Sequence, residues 1–125
     1  EKPRAIEIRK GKAWTLIGNC GVCGIEPTNH SAELGIMIGD KSEWNKGYGA
    51  EAMTLLQRHC FETLNLHRVF LRVYEENVRA VRAYEKAGFV LEGRQREAVY
   101  KKGKYEDVLF MSVLRSEWDT RMKEK

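Results

Sequence analysis

The sequence predicts one α/β domain. A β-meander leads into a helix, a strand and a second helix, and two further strands close the chain. Three observations predict it. Residues 5 to 38 carry short runs with strand-like patterning, broken by Lys10-Gly11-Lys12 and Pro27-Thr28-Asn29. Residues 47 to 64 open on two glycines and continue with an apolar stripe at helical spacing. The strand-like run Arg68 to Tyr74 passes into Asn77 to Phe89, which has the composition of a capped helix.

The elements follow in order. Ala5 to Arg9 is a short strand. Trp14 to Ile25 is a second, weakened by Gly18, Gly21 and Gly24, which suggest a bulge or a close backbone approach. Ala32 to Ile38 is a third, with Leu34, Ile36 and Ile38 on one face and Glu33, Gly35 and Met37 on the other. These three read as an antiparallel meander. In the first helix, Met53, Leu56, Cys60 and Leu64 form a stripe widened by Ala52, Leu55 and His59. Arg68 to Tyr74 has the β-branched and aromatic content of a central strand. Asn77 caps the second helix and Gly88 ends it. Phe89 to Arg94 and Val108 to Leu114 are strands around a turn at Lys101 to Lys104. Trp118 to Lys125 reads as a frayed, charged tail.

Composition bounds the function. At 125 residues, with 42% hydrophobic and 32% charged residues, the chain is an ordinary single globular domain. No run approaches the roughly 18 apolar residues of a membrane span, and no targeting segment is visible. The net charge of +4 is mild, and its Lys and Arg are mixed with Glu, which argues against a nucleic-acid partner. The cluster Lys101, Lys102 and Lys104 flanks Gly103 and reads as a solvated turn. Cys20 and Cys23 spell C-x-x-C, but zinc wants four ligands and no second such pair or close His pair exists. Residues three apart in a strand point to opposite faces, so these are expected to be plain strand cysteines, and Cys60 a core residue. No metal is expected. Free thiols suggest a reducing cytoplasm.

The segment Trp44-Asn45-Lys46-Gly47-Tyr48-Gly49-Ala50-Glu51-Ala52 is the strongest functional signal. A helix N-terminus offers unpaired N–H groups and partial positive charge, which suits a pyrophosphate. Gly47 and Gly49 let the backbone approach closely, and Lys46 adds a full charge. Gly47-x-Gly49-x-x-Ala52 also satisfies a dinucleotide fingerprint, though that reading wants a strand running straight into the loop. Asn77 and Tyr84, seven positions apart, share a helical face. As residues alone, Asn77 needs no role beyond capping, and Tyr84 none beyond that of a half-buried aromatic.

Taken with Glu92-Gly93-Arg94 and Gly103-Lys104-Tyr105-Glu106-Asp107 in the same order, these segments make residues 6 to 114 resemble the GNAT superfamily of acetyl-CoA-dependent N-acetyltransferases. Within it they are similar to the group that acetylates ribosomal-protein N-termini and polyamines. The resemblance implies the acyl-CoA N-acyltransferase fold, a mixed and mostly antiparallel sheet flanked by helices. The family fold places a strand and two helices before the meander, and this chain, which starts at Glu1 rather than Met, has no room for them before Ala5. An N-terminally truncated fragment, an unusual short variant or a site completed by a partner chain would each account for this, and an incomplete acetyltransferase or a non-catalytic CoA-binding module stands as the alternative to an active enzyme.

The resemblance also implies roles. Trp44, Asn45, Lys46, Gly47, Tyr48, Gly49 and Ala50 would cradle the pyrophosphate of acetyl-CoA. The backbone of Ile36, Met37 and Ile38 would hydrogen-bond the pantetheine arm like an added strand, one N–H polarising the thioester carbonyl. Asn77 would contact the same arm, and Tyr84 would protonate the departing thiolate. Glu33 is the first candidate for the base that accepts the amine's proton, with Glu97 or water as alternatives. No cysteine is placed as an acyl carrier. The acceptor would be a primary amine, whether small molecule, polyamine or protein N-terminus, and the basic balance slightly disfavours polyamines. The resemblance is compatible with a homodimer.

Overall fold

The computed structural model describes residues 4–10, 13–38 and 48–123. Six strands form one sheet: β1 (Arg4–Lys10), β2 (Ala13–Glu26), β3 (Ser31–Ile38), β4 (Arg68–Tyr74), β5 (Val90–Lys101) and β6 (Lys104–Leu114), in the order β1-β2-β3-β4-β6-β5. Among the described residues only β3 and β4 run parallel, and every other pair is antiparallel. The mixed, mostly antiparallel sheet is thus present, with the meander β1–β3 at one side and the β5–β6 hairpin at the other. β4 takes the central place its Val69-Phe70-Leu71-Arg72-Val73 run suggests. The bulge expected in β2 is there. The β2–β3 register shifts between Cys23 and Glu26, where Gly24 adopts φ +59°, a conformation glycine takes at no steric cost.

The helices are α1 (Tyr48–Arg58), α2 (Val78–Lys86) and α3 (Arg115–Lys123). α1 continues through a π-helical turn, His59–Thr63, so the apolar stripe to Leu64 is helical but not α-helical throughout. One buried cluster unites them with the sheet. Cys20 and Val22 of β2, Ala32 and Leu34 of β3, Val69, Leu71 and Val73 of β4, and Leu109, Met111 and Val113 of β6 all face it. Met53, Leu56, Cys60 and Phe61 come from α1 and its extension, Tyr84 and Ala87 from α2, and Trp118 from α3. The strand residues between them, including Glu33, Phe70 and Arg72, lie on the opposite face.

Two expectations need correction. The C-terminal segment is not a frayed tail. Trp118 is 2% exposed and its ring meets that of Phe61 at 5.7 Å, so α3 is docked in the core. Local sequence hid this, because seven of the nine residues of α3 are polar or charged and only Trp118 and Met122 pack on the core. The last two strands are also longer than expected. They run to a two-residue turn, Lys102-Gly103, with φ of +51° and +82°, the geometry of a tight hairpin turn. Cys20 is buried and Cys23 exposed, as their spacing implies, and none of the three cysteines is in a disulfide among the described residues.

Candidate active site

The site begins where the sheet comes apart. The carbonyl of His30 accepts hydrogen bonds from the amides of His67 (2.7 Å) and Arg68 (3.2 Å), which pins the starts of β3 and β4 side by side. The two strands then pair for three residues only: Ser31 with Arg68, Ala32 with Val69 and Glu33 with Phe70. Beyond Glu33, β3 stays paired to β2 as far as Ile38, and β4 stays paired to β6 as far as Tyr74. The facing edges of Leu34–Ile38 and Leu71–Tyr74 therefore have no ladder partner among the described residues. Backbone N–H and C=O groups seek partners, so this wedge is a place where an extended, amide-bearing molecule can add as a strand.

Both helix N-termini stand at the open end. α2 follows the C-terminus of β4 directly, and α1 starts at Tyr48, ten positions after the last residue of β3. Crevices at the carboxyl ends of parallel strands are where ligands bind in such sheets, and the helix ends add partial positive charge. Trp44, Asn45, Lys46 and Gly47 lie outside the described residues. Tyr48 and Ala50 sit in the first turn of α1, with Ala50 buried and its carbonyl accepting from the Thr54 hydroxyl at 3.0 Å.

α2 is fixed at both ends. Asn77 is its N-cap, its side chain accepting from the Ala80 amide at 3.3 Å. The preceding turn is held by Glu106, 5% exposed, which accepts from the Glu76 amide at 3.2 Å. At the other end the Ala87 carbonyl accepts from Gln57 Nε2 of α1 (2.8 Å) and from the Arg121 guanidinium of α3. These donors satisfy a helix-end carbonyl that has no partner within the helix. They also lock three helices together around Tyr84. Gln57 is fully buried, and its Oε1 has no hydrogen-bond partner among the described residues. Sequence reasoning missed Gln57, Arg121 and Glu106. No motif marks them; each is recognisable only once the helices are packed.

Tyr84 lies on the helix side of the sheet, edge-on to Phe89 at 6.1 Å. Its side chain is buried, and burial pushes the phenol up to about 12. Glu33 lies on the opposite face, at the last paired rung before the wedge opens. Both its oxygens are held by Arg72, from Nε at 2.7 Å and Nη2 at 3.2 Å. The Glu33 carboxylate in turn raises Arg72, through the hydrogen bond first and charge second. The two candidate proton carriers are thus on opposite faces, and the wedge is what lies between them. Arg72 had no signal in the sequence beyond the alternation that puts it on the same strand face as Arg68.

Glu97 sits elsewhere. It occupies a bulge of β5 with φ +48°, and its amide donates to Asp107 Oδ1 at 2.7 Å. That bond, with Arg94 at 2.9 Å, holds the Asp107 carboxyl below its ordinary range. Among the described residues no group of three or more His, Cys, Asp or Glu is arranged to hold a metal ion, and no helix is long and apolar enough to cross a membrane.

The family model for the Acetyltransferase (GNAT) domain matches residues 2–90. A spermidine N(1)-acetyltransferase of Vibrio cholerae serotype O1 is 38% identical over 109 residues, covering 85% of this chain and 61% of that protein. An L-amino acid N-acetyltransferase of Escherichia coli K12, AaaT, is 31% identical over 85 residues, covering 67% of this chain and 51% of that protein. A solved structure of a mutant of the Vibrio cholerae spermidine N-acetyltransferase SpeG superposes with a TM-score of 0.83 at 32% identity, covering 96% of this chain and 70% of that one. The chain belongs to the GNAT acetyltransferase family. It spans less than two thirds of the length of either curated relative.

Proposed function

We propose that this protein moves the acetyl group of acetyl-CoA to a primary amine by direct attack, in the reducing interior of a cell. The observation that carries this reading is the wedge between β3 and β4, flanked at its open end by α1 and α2. Its free backbone edge fits the amide-rich pantetheine arm, which Ile36, Met37 and Ile38 would pair with as a strand. Tyr48, Gly49 and Ala50 at the start of α1, with Trp44, Asn45, Lys46 and Gly47 before it, would hold the pyrophosphate. Acetyl-CoA supplies an activated acyl group and a thiolate leaving group.

The residues of the chain then have distinct tasks. A backbone N–H near Met37 would polarise the carbonyl. The amine nitrogen attacks the carbonyl carbon, the carbon–sulfur bond breaks, and the proton lost by nitrogen passes to Glu33 or through water to solvent. Tyr84 donates to the departing sulfur. A phenol near 12 is a weaker acid than an alkyl thiol of about 8.5. Tyr84 therefore acts mainly by hydrogen-bond donation, full proton transfer following from solvent. Asn77 would contact the arm through its Nδ2 donors, since its capping bond uses only the Oδ1 acceptor. The relatives named for spermidine and for L-amino acids support an amine as acceptor.

Calorimetric titration with acetyl-CoA, with NAD as control, followed by a screen of amines, tests the reading. Binding of acetyl-CoA alone and acetylation of at least one amine are expected. Binding of NAD in place of acetyl-CoA, or binding without transfer to any amine, would overturn it.

A further inference from the structure

We infer that Arg72 selects the acceptor, favouring an amine that carries a carboxylate beside its amino group over a polyamine. The inference rests on the amine acetylation proposed above and names its substrate class.

Glu33 and Arg72 meet at the closed end of the wedge, where β3 and β4 begin to part. Glu33 is the last residue of β3 paired to β4, and Arg72 stands two residues past that rung on the same sheet face. A guanidinium has five N–H donors. The side-on grip on Glu33 uses Nε and one donor of Nη2, and the remaining Nη donors have no partner among the described residues. The Arg72 side chain is 58% exposed, so that free edge is open to solvent. The guanidinium is charged at any working pH, and Glu33 raises it further. The neighbouring cation on this face differs: Arg68 is paired to Glu92 at 2.8 Å and lies over the Phe70 ring at 5.3 Å.

The site thus presents a carboxylate and, against it, a cation with an open fork edge. An α-amino acid presents the complementary pair on adjacent atoms. Its amino group reaches Glu33, the group that would take its proton, and its carboxylate lies along the free N–H edge of Arg72 in the planar geometry that edge favours. A polyamine brings only cations, and the one next to the reacting amine meets Arg72 with like charge.

The test compares three acid and amide pairs: L-alanine, L-methionine and L-phenylalanine, each with its α-amide, and spermidine beside them. The readout is the ratio of kcat/KM for acid over amide, in the unaltered protein and in Arg72→Gln. Comparing ratios cancels the intrinsic reactivity of each amine. We expect Arg72→Gln to lower the ratio by about tenfold or more, the usual size of a charge-assisted hydrogen bond, mostly through KM of the acid. Arg72→Lys, which keeps the charge and loses the fork, should fall between. Spermidine should gain relative to the acids in Arg72→Gln. A ratio that Arg72→Gln leaves unchanged would mean that Arg72 only orients Glu33, and would overturn the inference.

A second readout needs no turnover. The Arg72 Nε–Hε resonance should shift on addition of the acids and not of the amides. If no amine is acetylated, the proposed reaction fails, and this resonance still decides the binding claim: equal shifts, or none, overturn it.

Discussion

Tyr84→Phe removes one hydroxyl and leaves the ring that packs on Phe89, so it tests chemistry with little change in packing. Burial pushes the phenol up to about 12. At pH 8 only on the order of one molecule in ten thousand is then ionised, and Tyr84 is a protonated donor throughout the working range. Positioned proton donors contribute about 10²–10⁴-fold. Because this phenol is a weaker acid than the thiol it would face, the lower end applies, and kcat should fall about 100-fold with acetyl-CoA affinity within a few-fold. The same shift makes a stability prediction. Below pH 10 the phenol is protonated in both folded and unfolded chains and contributes no pH dependence. Between about 10 and 12 the unfolded chain loses its proton first, so stability falls by about 1.4 kcal/mol per pH unit, to about 2–3 kcal/mol by pH 12. Tyr84→Phe lacks that component. Urea unfolding at pH 8, 10 and 11, run on both proteins, should show the unaltered chain losing about 1 kcal/mol more than the variant across the series. A kcat within twofold of the unaltered protein would refute the donor role, and parallel stability profiles would refute the buried phenol.

Three further changes separate structure from function. Trp118→Ala should cost about 3–5 kcal/mol in urea unfolding, the usual range for a large buried aromatic, whereas a true tail would lose nothing. Asn77→Ala should cost about 1 kcal/mol through the lost cap, while Asn77→Ser keeps the cap within a few tenths. If the Asn77 amide also contacts the pantetheine arm, Asn77→Ser weakens acetyl-CoA binding at unchanged stability, and calorimetry reads the difference. Gly88 has φ +99°, and a Cβ there would run into the Arg121 side chain. Gly88→Ala should therefore cost about 1–3 kcal/mol, measured by thermal or urea unfolding, and loosen the C-terminal end of the helix that carries Tyr84.

The elements that the sequence disclosed are those whose signal is local. β4 was legible to the residue because its alternation and β-branched content agree with its central place. α2 was legible because Asn77 and Gly88 are a cap and a stop within one short run. What stayed hidden depends on contacts distant in the chain. α3 docks through Trp118 on Phe61 with Met122 one turn on, and these two are the apolar residues among its nine. The grip of Gln57 and Arg121 on Ala87 joins three helices 30 and more positions apart. Glu33 was legible as a carboxylate of β3, but its partner Arg72, 39 positions away, was not. The parallel pairing of β3 with β4 ends after three rungs, and no residue in either strand announces that the pairing stops.

The wedge is the centre of this account, and hydrogen exchange on its edge tests it most directly. Acetyl-CoA at saturating concentration should slow exchange at the amides of residues 34 to 38 that face away from β2, with little change in β1, and NAD should have no effect. Acetyl-CoA that binds yet leaves those amides exchanging at their free rate would contradict the strand-addition geometry on which the proposed transfer depends.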